Sequence, residues 1–330
     1  MDFKWEDARF VSTKRRSALP ARPAPVAVAV VEAEAVAPGA GNPMNNSRQH
    51  TLLRRSGLPG ALMLLISTFS AQDAHALPPS TTDARTVKLI DAAIAGAHRS
   101  AKNKARDVYR HPKETLEFFG LRAHMSLIEI SPGGGWYTEI LAPVVKDHGH
   151  YAAGITPPEA ADAEDSASLK TLRQKFTDHA AVLGTLNTVP FGPKVEQIAA
   201  PASADMVVVF RSLHNWMGAG WADKAAADMF KALKPGGILG IEGHRGNPAK
   251  PQDPKADSGY VNEDYAIKLF EAAGFKLLGR SELNANAKDT KDYKEGVWTL
   301  PPTLTLGDKD KDKYLAIGES DRFTLKFQKP

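Results

Sequence analysis

Residues 125–138 constrain this chain more than any other stretch. A mostly apolar run, 125–130, reads as a buried strand that carries one acid, Glu129. After Ser131 and Pro132 come Gly133, Gly134 and Gly135, which let the backbone turn sharply and approach a ligand with no side chain in between. From Trp136 to Val145 the pattern becomes helical, with Tyr137, Ile140, Leu141 and Val144 on one face. Strand, glycine loop and helix in this order direct the free N–H groups of a helix N-terminus at a bound cofactor. The bland alternative is a strand–turn–helix corner with no ligand. A dinucleotide site requires Gly-x-Gly-x-x-Gly, and here Gly133-x-Gly135 runs on into Trp136, Tyr137 and Thr138, so the third glycine is missing.

Residues 1–76 are not expected to belong to the fold. Residues 1–43 are rich in Ala, Pro and Val without a sustained period and read as disordered. From Met44 the text is that of a signal peptide. Arg48, Arg54 and Arg55 form a positive region, 58–69 a short apolar core, and Ala74-His75-Ala76 a cleavage site before Leu77. The apolar core is too short to span a bilayer as a mature helix. The expectation is an exported, periplasmic protein with no stable membrane insertion after processing. The sequence contains no cysteine, which excludes disulfides, thiolate metal sites, a cysteine nucleophile and a cysteine-acylated anchor. The net charge of +4 is spread along the chain and gives no case for nucleic acid as a partner.

From residue 77 onward strands and helices alternate. Helices are expected at 83–101, 112–120, 162–183, 223–233 and 260–273. Strands are expected at 150–155, 195–198, 205–210, 238–242, 275–283 and 322–328, in addition to 125–130. Residues 205–210 are apolar on both faces, as a central parallel strand requires. Alternation of this kind predicts a parallel sheet with helices on both faces. The last two strands lack a proper intervening helix, which predicts one antiparallel member at the edge.

Four segments together resemble a bacterial family of class I S-adenosylmethionine-dependent methyltransferases, often exported. They are Arg110-His111-Pro112 with 115–120, residues 129–143, Arg211-Ser212-Leu213-His214-Asn215-Trp216, and 288–293 with 296–302. The Lys234-Pro235-Gly236-Gly237 turn is common in the same superfamily but less specific. The resemblance implies one domain over 77–330, a Rossmann-like methyltransferase fold of seven mostly parallel strands with the last antiparallel, and S-adenosyl-L-methionine as cofactor. It implies that Glu129 sits near the amino group of the cofactor's methionine moiety. Ser131, Pro132, Gly133, Gly134 and Gly135 would line that moiety through backbone atoms, with Tyr137 and Thr138 at its carboxylate; Arg211 is counted with this cofactor set. A carboxylate at a helix N-terminus also agrees with the dipole and the free N–H groups there.

Two departures stand out. No acid closes the strand 150–155, where the family binds the ribose; Thr156 or Glu159 would have to serve. No Asn-Pro-Pro-Tyr or Asp-Pro-Pro-Tyr follows 205–210, which argues against methylation of nucleic-acid amino groups. The expected reaction is methyl transfer to a small-molecule acceptor. His214 is the candidate general base, Asn215 orients the acceptor and Trp216 excludes water. His244 and Arg245 are secondary candidates, and Tyr109, Arg110 and His111 a lid. No metal is expected, because His111, His214 and His244 lack ligand spacing and an acid partner. The alternative function is an exported binding protein that has kept the fold and lost catalysis.

Overall fold

The strands are apolar on alternating sides, and the two sides face different helices. The computed structural model describes residues 81–330. The expected disordered extension and signal peptide lie outside the described residues. The chain begins with α1 (Ala84–Ala95), α2 (Ala101–Lys104), α3 (Asp107–Arg110) and α4 (Pro112–Phe119). Next come β1 (Ser126–Ile130), α5 (Thr138–Val145), β2 (His150–Ile155), α6 (Ala163–Asp178), α7 (Ala180–Leu183) and β3 (Thr188–Pro190). The second half holds β4 (Ala204–Phe210), α8 (Leu213–Gly218), α9 (Ala222–Ala232), β5 (Leu233–His244) and α10 (Glu263–Ala272). It ends with β6 (Lys276–Ser281), a 3-10 turn (Gly296–Thr299), α11 (Lys311–Ile317) and β7 (Arg322–Gln328).

The strands form one seven-stranded sheet in the order β3-β2-β1-β4-β5-β7-β6. Strands β1 to β5 are parallel, and β7 runs antiparallel between β5 and β6. One face packs Ile128, Val207, Val209, Leu239, Ile241, Phe323 and Phe327 against helices α8, α9 and α10 through Trp216, Met229 and Phe270. The other face packs Leu127, Met206, Val208 and Ile238 against α1, α4 and α5 through Ile90, Phe119 and Ile140. Glu129 shares the second face, two residues on from Leu127. At Gly240 the ring of Phe119 lies 2.5 Å from where a Cβ would stand, so a glycine is needed there for α4 to reach the sheet.

Several expected elements differ from those observed: the antiparallel β7 is internal, with β6 at the edge, the expected helix 162–183 is broken at His179 into α6 and α7, and β5 starts at Leu233, so the expected 234–237 turn lies within it. The third strand is Thr188–Pro190, paired with β2, and not 195–198. Val195 and Ile198 are apolar because they pack into the core beneath a loop, and burial without pairing gives the same hydrophobic pattern as a strand. The first helix stops at Ala95 and gives way to α2 after a turn at Gly96, whose N–H bonds the Ala93 carbonyl. Beyond β4 the chain leaves the extended conformation at once. Arg211 adopts φ +58°, and α8 begins at Leu213, so His214 and Asn215 stand on a helical turn.

Candidate active site

The carboxyl ends of β1, β4 and β5 lie side by side and bring the site residues together. At the end of β1, Ser131, Gly133 and Gly135 all take positive φ (52°, 56° and 79°), which coils the loop away from the strand. Ser131, Gly133 and Gly134 are exposed and Pro132 is half-buried. A Cβ added to Gly133 would meet nothing within 4 Å. The N–H groups of Gly133 and Gly134 find no acceptor among the described residues. The loop therefore presents bare, unpaired backbone to an open corner. At Gly135 the reason for glycine is internal, since a Cβ would come within 2.7 Å of Leu172.

Glu129 lies behind this loop and is 2% exposed. Its Oε2 accepts hydrogen bonds from the Thr138 hydroxyl at 2.6 Å and the Tyr151 hydroxyl at 2.7 Å; its Oε1 accepts none. Burial pushes its carboxyl up to about 7, against the opposing pull of the two hydroxyls and Arg211. A buried carboxylate with one free oxygen is suited to an ammonium group, which would favour its charged form.

Thr138 and Tyr137 are both fully buried and turned into the protein. Thr138 serves Glu129. Tyr137 stacks on Phe210 with ring centroids 3.5 Å apart and donates to Glu242 at 3.2 Å. Their side chains are thus engaged within the protein and are not offered to the open corner.

Beside them lies a buried network of arginines and acids that sequence reasoning missed. Glu242, at the end of β5, is fully buried and takes a 2.8 Å bond from Arg211, with Arg322 Nε at 3.3 Å. Glu319 accepts from Arg106 at 2.6 Å and Arg110 at 3.0 Å, and from Arg322. The cations hold both carboxyls below the usual carboxylate range in spite of burial. Arg110 and Arg99 both lie over the Trp136 ring, at 4.6 and 5.1 Å from its centroid. The one available signal was Glu242 itself, an acid ending an otherwise apolar strand just as Glu129 does. The pairing of Glu319 with Arg106, just before α3, and Arg110, on it, spans more than two hundred residues of sequence and left no local trace.

His214 is 9% exposed and has no hydrogen-bond partner among the described residues. Burial, and then the charge of Arg211, pushes its imidazole down to about 4, so it is neutral at physiological pH. Its ring lies 5.5 Å from that of His244 and 5.8 Å from that of Trp298. Asn215 beside it is exposed, whereas Trp216 faces the core against Phe191 and Trp221 and walls off no acceptor. His244 bonds Ser320 at 2.6 Å, and Arg245 bonds Glu282 at 2.6 Å. His111 bonds Asn284 at 3.2 Å. Arg110 and the Tyr109 carbonyl are tied to Glu319 and Arg322, so the segment expected as a lid is fastened to the chain just before β7. Among the described residues no group of three or more His, Asp or Glu is arranged to hold a metal ion, and no helix is long and apolar enough to cross a membrane.

The strand order, with β7 inserted antiparallel between β5 and β6, decides the architecture. The chain has the Rossmann-like methyltransferase fold. No family model matches the sequence, and no curated protein matches it. Similar solved structures include an S-adenosylmethionine-dependent methyltransferase from Aquifex aeolicus, 15% identical, covering 68% of this chain and 93% of that one with a TM-score of 0.46. A [4+2]-cyclase, SpnF, is 14% identical over 74% of this chain and 94% of its own, with a TM-score of 0.48. An arsenic(III) methyltransferase from Chlamydomonas reinhardtii is 12% identical over 73% of each chain, with a TM-score of 0.44. Likenesses this distant say nothing of the reaction, and fold alone does not give function.

Proposed function

We propose that this protein transfers a methyl group from S-adenosyl-L-methionine to a small-molecule acceptor. The observation that carries the reading is the pairing of Glu129, with one unbonded carboxylate oxygen, and the open, unpaired backbone at Gly133 and Gly134. The free oxygen suits the ammonium of the cofactor's methionine moiety, and the loop N–H groups suit its carboxylate. Ser131, Pro132 and Gly135 shape the loop, Tyr137 and Thr138 brace it from behind, and Arg211 adds positive charge beside it. The cofactor supplies an electrophilic methyl on a sulfonium, so the protein need only align the acceptor and remove its proton. His214, neutral and without a competing partner, takes that proton, and Asn215 orients the acceptor.

A second reading, an exported binding protein without catalysis, is favoured by one feature. Strand β2 ends at Ile155 and continues into Thr156 and Pro157, with no acid for a ribose; Glu159 is exposed in the following turn. Calorimetric titration of the full chain with S-adenosylmethionine, and separately with NAD, separates the possibilities. Binding of S-adenosylmethionine alone is the expected result. Binding of NAD alone would point to a nicotinamide enzyme, and binding of neither to a repurposed scaffold. We further propose export to the periplasm, tested by mass spectrometry of the mature N-terminus, which is expected at Leu77.

A further inference from the structure

The buried network beside His214 is unbalanced in charge. Four guanidinium groups, from Arg106, Arg110, Arg211 and Arg322, share the two carboxylates of Glu242 and Glu319. Arg110 and Arg322 are 4% and 1% exposed, so the excess is not simply left to water. Cations withdrawn from water without a matching anion are costly, and Arg110 registers this, being held below its ordinary range by burial and then by Arg211. The neighbouring network around Trp136 has no such excess. There Arg99 and Lys175 face Asp107 and Glu139.

Arg211 is the member of the network whose charge acts on both Glu129 and His214. It follows β4 directly, and its side chain is 16% exposed. Only its Nη1 is engaged, by Glu242; Nε and Nη2 donate to no described residue. Three residues on stands His214, and beyond it Trp298, a large aromatic left 37% exposed and edge-on to the His214 ring. The cofactor does not correct the imbalance. S-adenosylmethionine carries an ammonium and a sulfonium against one carboxylate, and its single net positive charge offsets only Glu129.

We propose, on the strength of the methyl-transfer reading, that the acceptor is a small organic anion whose carboxylate or phosphate sits against Arg211 and whose flat apolar body lies on Trp298. A guanidinium with two free N–H donors matches either anion in a fork, and Trp298 supplies the face for the remainder.

The test is calorimetric titration of the full chain with benzoate, phenyl phosphate and neutral benzamide, each with and without S-adenosylhomocysteine, whose own binding is measured first. At least one of the anions is expected to bind tenfold or more tightly than benzamide. In Arg211→Gln that preference is expected to fall toward unity. Should that variant not fold, Trp298→Ala is the second test, with benzoate weakened to the level of acetate. Benzamide binding as tightly as the anions, or no binding of either anion, would overturn the proposal. S-adenosylhomocysteine binding without anion binding would refute the acceptor class and leave the cofactor reading standing. Anion binding without S-adenosylhomocysteine binding would support the anion site and sink methyl transfer.

Discussion

Glu129 and His214 are held in opposite departures from their ordinary ionisation by the same cause, burial. Glu129 is raised to about 7 and His214 lowered to about 4, so neither prefers its charge in the ligand-free protein. Glu129→Gln keeps an oxygen to accept from Thr138 and Tyr151 but removes the negative charge. A hydrogen bond to a charged group contributes roughly 1.5–3 kcal/mol, so S-adenosylmethionine should bind about ten- to a hundredfold more weakly, read by calorimetry. An unchanged affinity would remove Glu129 from the cofactor site. For His214 the check is direct: its ring proton resonances should titrate near pH 4 and not near 6.5. Replacement by alanine should leave cofactor affinity within a few-fold while turnover falls by about a hundredfold, the lower end of general-base catalysis, because an imidazole held down to about 4 is a weak base at neutral pH.

At the scale of elements, the glycine loop separates two uses of the same residue type. Gly133 has φ +56° and open space beyond it, whereas Gly135 has φ +79° and Leu172 in the way. Gly133→Ala should cost about 1–2 kcal/mol of stability from the left-handed backbone, yet lose more than tenfold in cofactor affinity, because its methyl enters the ligand's space. Gly135→Ala should unfold the protein at markedly lower denaturant, the overpacking adding about 1–3 kcal/mol to the same backbone cost. Urea titration and calorimetry on the two variants measure both quantities. If both lose only stability, the loop is structural. The segment between β6 and β7 is the other decisive element. It carries Trp298, Glu319 and Ser320 to the carboxyl edge of the sheet, where they meet His214, Arg110 and His244.

For the whole molecule, the buried charges set how stability depends on pH. His214 and His244 have folded values below 6.5, so the unfolded chain binds more protons and acidification below about 6.5 destabilises. Glu129 acts the other way: its folded value of about 7 exceeds its ordinary 4.5, so its contribution grows as pH falls from 7 to 4.5. The two shifts at Glu129 and His214 nearly cancel, and His244 tips the balance toward loss. Below about 4.5, Glu242 and Glu319, both depressed in the folded state, add a further loss. Stability should therefore be flat from pH 7 to about 9, decline below 6.5 and fall steeply below 4.5, as read by urea denaturation across pH; above about 10 the buried Tyr137, Tyr151 and Tyr260, raised by burial, bring a further loss. In Glu129→Gln the decline between 6.5 and 4.5 should steepen; a shallower slope would contradict the assignment. Glu319→Gln, which strands three arginines, should cost roughly 3–5 kcal/mol, because it cuts the tie between α3 and the chain before β7.

The amino-acid sequence alone determined the sheet's parallel core, its antiparallel last strand and the glycine loop, because each is written in local terms. Apolar runs, turn residues and the spacing of Gly133 and Gly135 act over a few positions. It also marked Glu129, in the strand before the glycine loop, and His214, shortly after the 205–210 strand, as candidates. Only the tertiary structure decided which side chains face the open corner and which are turned inward. Thr138 was reserved for Glu129, Tyr137 for Glu242 and Trp216 for the core. Only tertiary structure, too, brought Arg106, Arg110, Arg211 and Arg322 onto two acids. Ionisation and charge balance depend on burial and on neighbours distant in sequence, and no local pattern records either.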